Sequence, residues 1–267
     1  MPHDYGYSLC ISSQAGCAMG CAFCASGAKG LSRSLEAHEI VAQVLAGRAK
    51  LAKNGQTLTN IVVMGMGEPF NNYDNVMRAL KILNAGRGPN IGARHITIST
   101  CGVVPGFSRL ASEGVQFELS VSLHAPNDEI RNLLMPVNRR WPLAELLAAC
   151  RAYTKATKRI ITFEYTLVKG VNDSRANAGE LARIVKSVPM AKVNLIPLSP
   201  VEHRPDLKTP DEATLLMFLD VLMKNRIQTM LRRSRGKDVA AACGITIPQD
   251  LLDSANEIIQ NGKLTKK

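Results

Sequence analysis

Apolar, β-branched runs alternate with amphipathic stretches along nearly the whole chain. Leu9 to Ser13, Ile61 to Met66, His95 to Thr100, Phe117 to Leu123, Ile160 to Val168, Lys192 to Ile196 and Gln228 to Leu231 are short and apolar, which predicts strands. Between them lie stretches of helical character. Glu36 to Lys53 places Ile40, Val44 and Leu51 near helical spacing, and Asn75 to Asn84, Phe107 to Glu113, Pro142 to Thr157 and Ser174 to Val188 follow suit. Thr209, Pro210 and Glu212 read as N-cap, N1 and N3 of a further helix, a capping box, with Leu215, Leu219 and Leu222 on one stripe. Asp250 to Gln260 reads as a terminal helix.

Strand–helix alternation of this kind implies right-handed βαβ units and a parallel sheet, an α/β protein. Six to seven such units fit a partial (β/α) barrel, whose active site lies at the C-terminal ends of its strands. Gly67-Glu68, Ser99 and His124 fall at strand ends, as does a cysteine-rich loop after the first strand, so all can converge. No linker, repeat or low-complexity run interrupts the pattern, so residues 1–267 are expected to form one domain.

Composition narrows the classes. Among 267 residues, 46% hydrophobic and 21% charged suit a folded globular chain rather than a disordered one. There is no long apolar run and no signal-like N-terminus, so a cytoplasmic protein without membrane contact is expected. The net charge of +11 favours a polyanionic partner such as nucleic acid, with basic residues gathered at Arg139-Arg140, Lys158-Arg159, Arg232-Arg233, Arg235 and Lys263 to Lys267. Aromatic residues make up only 4%, which argues against a broad base-stacking platform.

The seven cysteines are Cys10, Cys17, Cys21, Cys24, Cys101, Cys150 and Cys243, an odd number that points to thiol or metal chemistry rather than a disulfide framework. Cys17, Cys21 and Cys24 have the spacing C-x-x-x-C-x-x-C, with Phe23 just before the last. Three local thiolates on a 4Fe-4S cube leave one iron open, where a small molecule can be chelated and receive an electron. The competing reading is a closed structural zinc site with Cys10 or His38 as fourth ligand. The spacing resembles the signature of the radical S-adenosylmethionine (SAM) enzymes. Met64-Gly65-Met66-Gly67-Glu68-Pro69 follows a predicted strand but lacks the third glycine of a dinucleotide fingerprint. Its small residues allow close backbone approach to a ligand, and Glu68 can accept from a ligand ammonium.

Cys10 to Cys17, Met64 to Pro69, Ser122-Leu123-His124-Ala125-Pro126-Asn127-Asp128, and Arg235-Gly236 with Ala241-Ala242-Cys243-Gly244 together resemble the RlmN/Cfr family of radical SAM RNA methyltransferases. The Leu123 to Asp128 and Asn194 to Pro197 runs are closer to RlmN. The resemblance implies a partial (β/α)6-type radical SAM barrel with a C-terminal extension. It implies that Cys17, Cys21 and Cys24 hold a 4Fe-4S cluster, and that Gly67, Glu68, Ser99, Ser122, Leu123, His124 and Ser199 contact SAM. Cys243, in a loop of about residues 232–247, matches the cysteine that accepts a methyl group and carries it to RNA, and Cys10 matches the one that resolves the protein–RNA adduct by forming a disulfide with it. The implied reaction methylates ring carbon 2 of an adenosine in 23S rRNA, in some members also in tRNA, with two SAM per turnover and an external electron donor such as flavodoxin. A monomer is expected.

A thiolate relay suits that chemistry, because carbon 2 of adenine is too electron-poor to attack the methyl of SAM by displacement, whereas a thiolate is not. Cys101 and Cys150 match no family role and read as packing residues, and His38, His95 and His203 as structural or surface residues. The chain departs from the family in three places: Ser199 replaces an Asn, Ala240 an Asp and Ile245 a Gln. It also begins nine residues before Cys10, so the family's usual N-terminal accessory domain, and a Glu that the family carries upstream, are expected to be absent. These departures bear on RNA docking and substrate choice. Two rivals follow: a radical SAM enzyme of another reaction type, against which Cys10 and Cys243 argue, and a non-catalytic RNA-binding remnant, which a SAM-cleavage assay separates.

Overall fold

Ile161, Phe163, Tyr165 and Leu167 point to one side of their strand and join the main apolar core, while Thr162, Glu164 and Thr166 alternate to the other. The same division runs through the whole sheet. The computed structural model of the chain describes residues 2–3, 6–28 and 30–232. Within them the order is β1 (Pro2–His3), β2 (Gly6–Cys10), β3 (Gln14–Gly16), α1 (Ala25–Ala28), β4 (Leu31–Ser34), α2 (Ala37–Ala52), β5 (Leu58–Val63) and α3 (Tyr73–Asn84). Then come β6 (Ile96–Thr100), α4 (Pro105–Ser112), β7 (Glu118–Ser122), α5 (Asp128–Leu134), α6 (Leu143–Thr157), β8 (Ile161–Leu167), α7 (Arg175–Lys186), β9 (Ala191–Pro197), α8 (Glu212–Lys224) and β10 (Thr229–Leu231).

The main sheet has the order β1-β2-β5-β6-β7-β8-β9-β10. All its pairings are parallel except that of the short β1 with β2. The seven parallel strands curl into a half barrel, with helices on the convex side and a polar concave face. The expected partial barrel of six β/α units is there from β2 to β9, and β10 adds a seventh strand beside β9.

Two strands lie three residues earlier than their apolar runs suggest. β2 ends at Cys10 and β5 at Val63, because the segments after them leave the ladder and lace together instead. Gly65 N–H donates to Ile11 O (3.0 Å), and Ser13 and Gln14 N–H both donate to Met66 O (2.9 and 3.1 Å). Hydrophobicity marks these loops as buried, but their hydrogen bonds are not those of a sheet. A β3–β4 hairpin and α5 carry too little periodicity to be read from sequence. Asn127 starts α5 by accepting from Ile130 N–H (3.0 Å).

The start of α8 also differs from its expected cap. Asp211 is the N-cap, accepting from Thr214 N–H (2.9 Å), while the Thr209 hydroxyl donates to Leu198 O (2.6 Å) and so pins the preceding loop to the end of β9. The expected terminal helix 250–260, residues 233–247 of the expected methyl-carrier loop, and Cys243 within it lie outside the described residues. Among the described residues no helix is long and apolar enough to cross a membrane.

Asp211→Ala should cost about 1 kcal/mol, the usual value of a cap, and speed amide exchange in the first turn of α8 more than elsewhere. Hydrogen exchange read by mass spectrometry checks both.

Candidate functional site

The cysteine loop leaves the sheet at the C-terminal end of β2 and returns through β4, so β3 and β4 clamp its base. Cys17 N–H donates to Gly30 O (2.9 Å), Cys24 N–H to Cys21 O (3.1 Å), and Ala22 N–H reaches across to Leu134 O at the end of α5 (2.9 Å). The three thiols are free and half-buried, and Cys24 lies close enough to raise the pKa of both Cys17 and Cys21. Burial is the largest influence on Cys21, pushed up to about 12, with Cys24 and Cys17 adding and Arg131 opposing. Burial also raises Cys17, but N–H groups of Met19 and Gly67 aimed at its sulfur favour the thiolate. A cavity of about 300 Å³, lined in part by Gly16, Ala25 and Met66, opens beside this loop.

That donor set fits a 4Fe-4S cluster. It offers three thiols on one loop, with N–H groups directed at a sulfur, as ligated thiolates require. Among the described residues no three of His, Cys, Asp or Glu converge as the ligands of one metal ion would. His38 is exposed on α2 and pairs with Glu36 (3.1 Å).

Gly65 and Gly67 are needed for the lacing of the two loops. A Cβ on Gly65 would sit 2.8 Å from Ile11 O, and one on Gly67, at φ +102°, would sit 2.6 Å from Gln14 Cβ. The close approach these glycines permit is to the stem of the cysteine loop. Glu68 is buried in the same seam, where Oε1 accepts from Phe70 N–H (2.9 Å) and Oε2 from Cys101 N–H (2.7 Å). Burial raises its pKa, while hydrogen bonds from Cys101, Phe70 and Thr100 oppose that.

Arg131 was not among the candidates, yet it organises the site. Fully buried on α5, it donates to Leu123 O (3.1 Å), Cys101 O (2.7 Å), Ser122 O (3.2 Å) and Asn138 Oδ1 (2.9 Å). Asn138 is itself held by donating to Asp128 and Asn132. The one sequence signal was spacing, since Arg131 lies three residues before the buried Leu134 on the inner side of a short helix.

Next to it, His124 adopts φ +54°. Its Nδ1 accepts from Thr166 N–H (2.9 Å), and Asn172 Nδ2 donates to its carbonyl (2.7 Å). The ring meets Phe23 of the cysteine loop edge-on, with centroids 4.8 Å apart. Burial, then the Arg131 charge, lower its pKa to about 3, so the imidazole is neutral.

The other candidates follow the rim. Cys10 ends β2 with Val62 as its partner on β5, half-buried Ser99 and Ser122 lie near the ends of β6 and β7, and buried Ser199 follows β9. Leu123 is a core side chain whose backbone carbonyl faces Arg131. Cys101 and Cys150 are buried as expected, although Cys101 also links Glu68 to Arg131 through its backbone, and His95 and His203 are exposed. Cys243 lies outside the described residues.

Arg131→Lys should lower unfolding free energy by about 2–4 kcal/mol. A point-charge ammonium cannot serve four diverging acceptors, and each orphaned buried carbonyl costs about 1–3 kcal/mol; urea denaturation checks this. His124 supplies a pH signature. Its folded pKa of about 3 lies below the ordinary 6.5, so the unfolded chain takes up the proton first and stability falls as pH drops from about 6.5 towards 3. His124→Gln should lack this component, so the stability difference between the two proteins should change between about pH 7 and about pH 4.5.

The radical SAM superfamily profile matches residues 11–182. The chain is 48% identical over 244 residues to a probable dual-specificity RNA methyltransferase RlmN of Symbiobacterium thermophilum, covering 91% of this chain and 65% of that protein. It is 46% identical to a probable dual-specificity RNA methyltransferase RlmN of Clostridium novyi, covering 91% of this chain and 70% of the relative. The chain thus spans about two thirds of the length of these relatives. A crystal structure of a radical SAM methyltransferase from Sphaerobacter thermophilus superposes with a TM-score of 0.89 at 51% identity, over 92% of this chain and 71% of that one. SuiB of Streptococcus suis bound to S-adenosylmethionine, with a TM-score of 0.62 at 15% identity over 86% of this chain and 51% of that one, shares the fold. On the profile match and the near-half identity to its relatives, the chain belongs to the radical SAM superfamily and, within it, to the RlmN family.

Proposed function

We propose that the chain is the core domain of a radical SAM methyltransferase that methylates carbon 2 of an adenosine in 23S rRNA, and in tRNA as a second substrate. The observation that carries this is the three-thiol loop clamped against Gly67-Glu68 and His124 at the rim of the half barrel, in a chain close to half identical to RlmN relatives. The "dual-specificity" in the names of those relatives supports two RNA classes.

Cys17, Cys21 and Cys24 would hold the cluster, which when bound supplies the electron that cleaves SAM. Glu68 would accept from the ammonium of SAM, and Ser99, Ser122, Leu123, His124 and Ser199 would line the rest of its site. The Cys243 thiol would lose its proton, take a methyl from one SAM, and pass that carbon to the base after a second SAM has been spent on removing one of its hydrogens. The base adduct would pass its unpaired electron to the one-electron carrier and lose its ring proton. The Cys10 thiolate would attack the Cys243 sulfur, forming a disulfide as the carbon–sulfur link to RNA breaks, and the methylene left on the ring would take up a proton to become the methyl group. Reduction of that disulfide would restore both thiols. A flavodoxin-type donor, a monomeric state and a cytoplasmic setting belong to the same reading.

Anaerobic reconstitution should load about four irons per chain and give a spectral change on adding SAM. RNA from cells with the gene should carry a methyladenosine that cells without it lack. Stoichiometric zinc without iron, or identical RNA, overturns the proposal. Cys10→Ala should trap the protein on RNA as a nuclease-sensitive shift on a denaturing gel, whereas normal turnover without adduct would make Cys10 structural.

A further inference from the structure

The concave face of β7, β8 and β9 holds a buried carboxyl with no role in the site described above. Glu164 is 4% exposed. Its Oε1 accepts from Ser120 Oγ (3.1 Å) and Asn194 Nδ2 (3.0 Å). Its Oε2 has no hydrogen-bond partner among the described residues. The nearby cation is Arg232, with Nη1 at 3.8 Å and a side chain 40% exposed. Lys192, two residues before Asn194 and so on the same face of β9, adds positive potential. Buried carboxylate oxygens are normally hydrogen-bonded, and Oε2, which among the described residues has only the Arg232 guanidinium at 3.8 Å, can accept a hydrogen bond from a ligand.

Its position restricts what that donor belongs to. The Glu164 carbonyl accepts from Leu123 N–H (3.0 Å) and His124 N–H (3.2 Å), so the residue stands level with the reactive rim. In the sheet, however, β8 is four strands from β2, which feeds the cysteine loop, and lies towards the β10 edge. A ligand there would offer an N–H donor to Oε2 and an anion to Lys192 and Arg232, a combination that a nucleotide carries. We propose that Glu164, Lys192 and Arg232 form a nucleotide subsite, in which Oε2 of Glu164 accepts a hydrogen bond from the exocyclic amine of an adenine and the two cations meet the adjoining phosphates. This rests on the reading of the chain as an RNA-modifying enzyme and names the residues that select its base.

The test is fluorescence anisotropy with the iron-loaded full chain and two RNA hairpins. One has a single adenosine in its loop; the other has purine there, which lacks only the amine. Wild type should prefer the adenosine hairpin by about tenfold or more, because the analogue leaves a buried acceptor unpaired. Glu164→Met should bring the preference to within about twofold, and Glu164→Gln, which keeps a carbonyl acceptor, should retain most of it. Should the Met variant fail to fold, since Ser120 and Asn194 lose their acceptor, the wild-type preference decides. Lys192→Ala should weaken both hairpins alike and reduce the salt slope by about one. Equal binding of the two hairpins by wild type, or no binding of either, overturns the subsite. So does a Glu164→Met protein that binds SAM more weakly in equilibrium dialysis yet keeps the adenosine preference, because the carboxyl then serves SAM. Adenosine preference in a chain that methylates no RNA would leave the subsite standing and defeat the methyltransferase reading. Methylation without preference would do the reverse.

Discussion

Arg131 is completely buried, and every group it bonds is neutral: three backbone carbonyls and one amide oxygen. Those carbonyls belong to Cys101, Ser122 and Leu123, where the β6 and β7 strands give way to loops. Such chain ends have run out of ladder partners and would otherwise be buried unsatisfied. One planar guanidinium satisfies them together and fixes the two strand ends relative to α5. Through Ala22 and Leu134 the same helix also anchors the cysteine loop. Its charge favours the thiolate forms of Cys21 and Cys101 against the strong effect of their burial. Removing a full charge from water is costly, so a lone buried Arg is expected only where its hydrogen bonds are this complete.

The rim is built by interlocking neighbouring loops. The stretch after β2 and the stretch after β5 hydrogen-bond to one another, and glycines at 65 and 67 let them touch. Gln14 then accepts from Glu68 N–H (3.0 Å), and Glu68 in turn accepts from Cys101 N–H. A continuous run of polar contacts thus leads from the cysteine loop, through Glu68 and Cys101, to Arg131 and the Ser122–His124 segment. Each member restricts the next, which is the preorganisation that a cofactor site requires.

The two faces of the strands divide the work. The convex face carries the apolar alternates, including Phe163 and Tyr165, the latter stacked near Phe218 of α8 at 5.4 Å. The concave face carries Ser99, Ser120, Ser122, Glu164 and Asn194. A closed barrel would fill its interior with packed side chains. In this half barrel the inner face stays polar, and among the described residues Glu164 Oε2 accepts no hydrogen bond and has only Arg232 Nη1 nearby at 3.8 Å.

Much of this was legible in the chain itself. Alternation of apolar runs with helical spacing specified the order of strands and helices and the parallel sheet, because both periods are imposed locally by backbone geometry. The spacing of Cys17, Cys21 and Cys24 already set three thiols on one loop, because that placement needs no contact from elsewhere in the chain. Other features were settled by contacts between residues far apart in sequence. Asp211 rather than Thr209 caps α8 because Thr209 is drawn to Leu198 at the end of β9. The strand ends at 10 and 63 depend on two loops meeting across about fifty residues. Arg131 and Glu164 look like ordinary charged residues in a short helix and in a strand; the spacing of Arg131 to Leu134 places it on the inner side of α5 but says nothing of its partners. Their roles exist only once burial strips them of water and brings Cys101, Ser122, Ser120 and Asn194 within hydrogen-bonding distance, and that is a property of the folded chain alone.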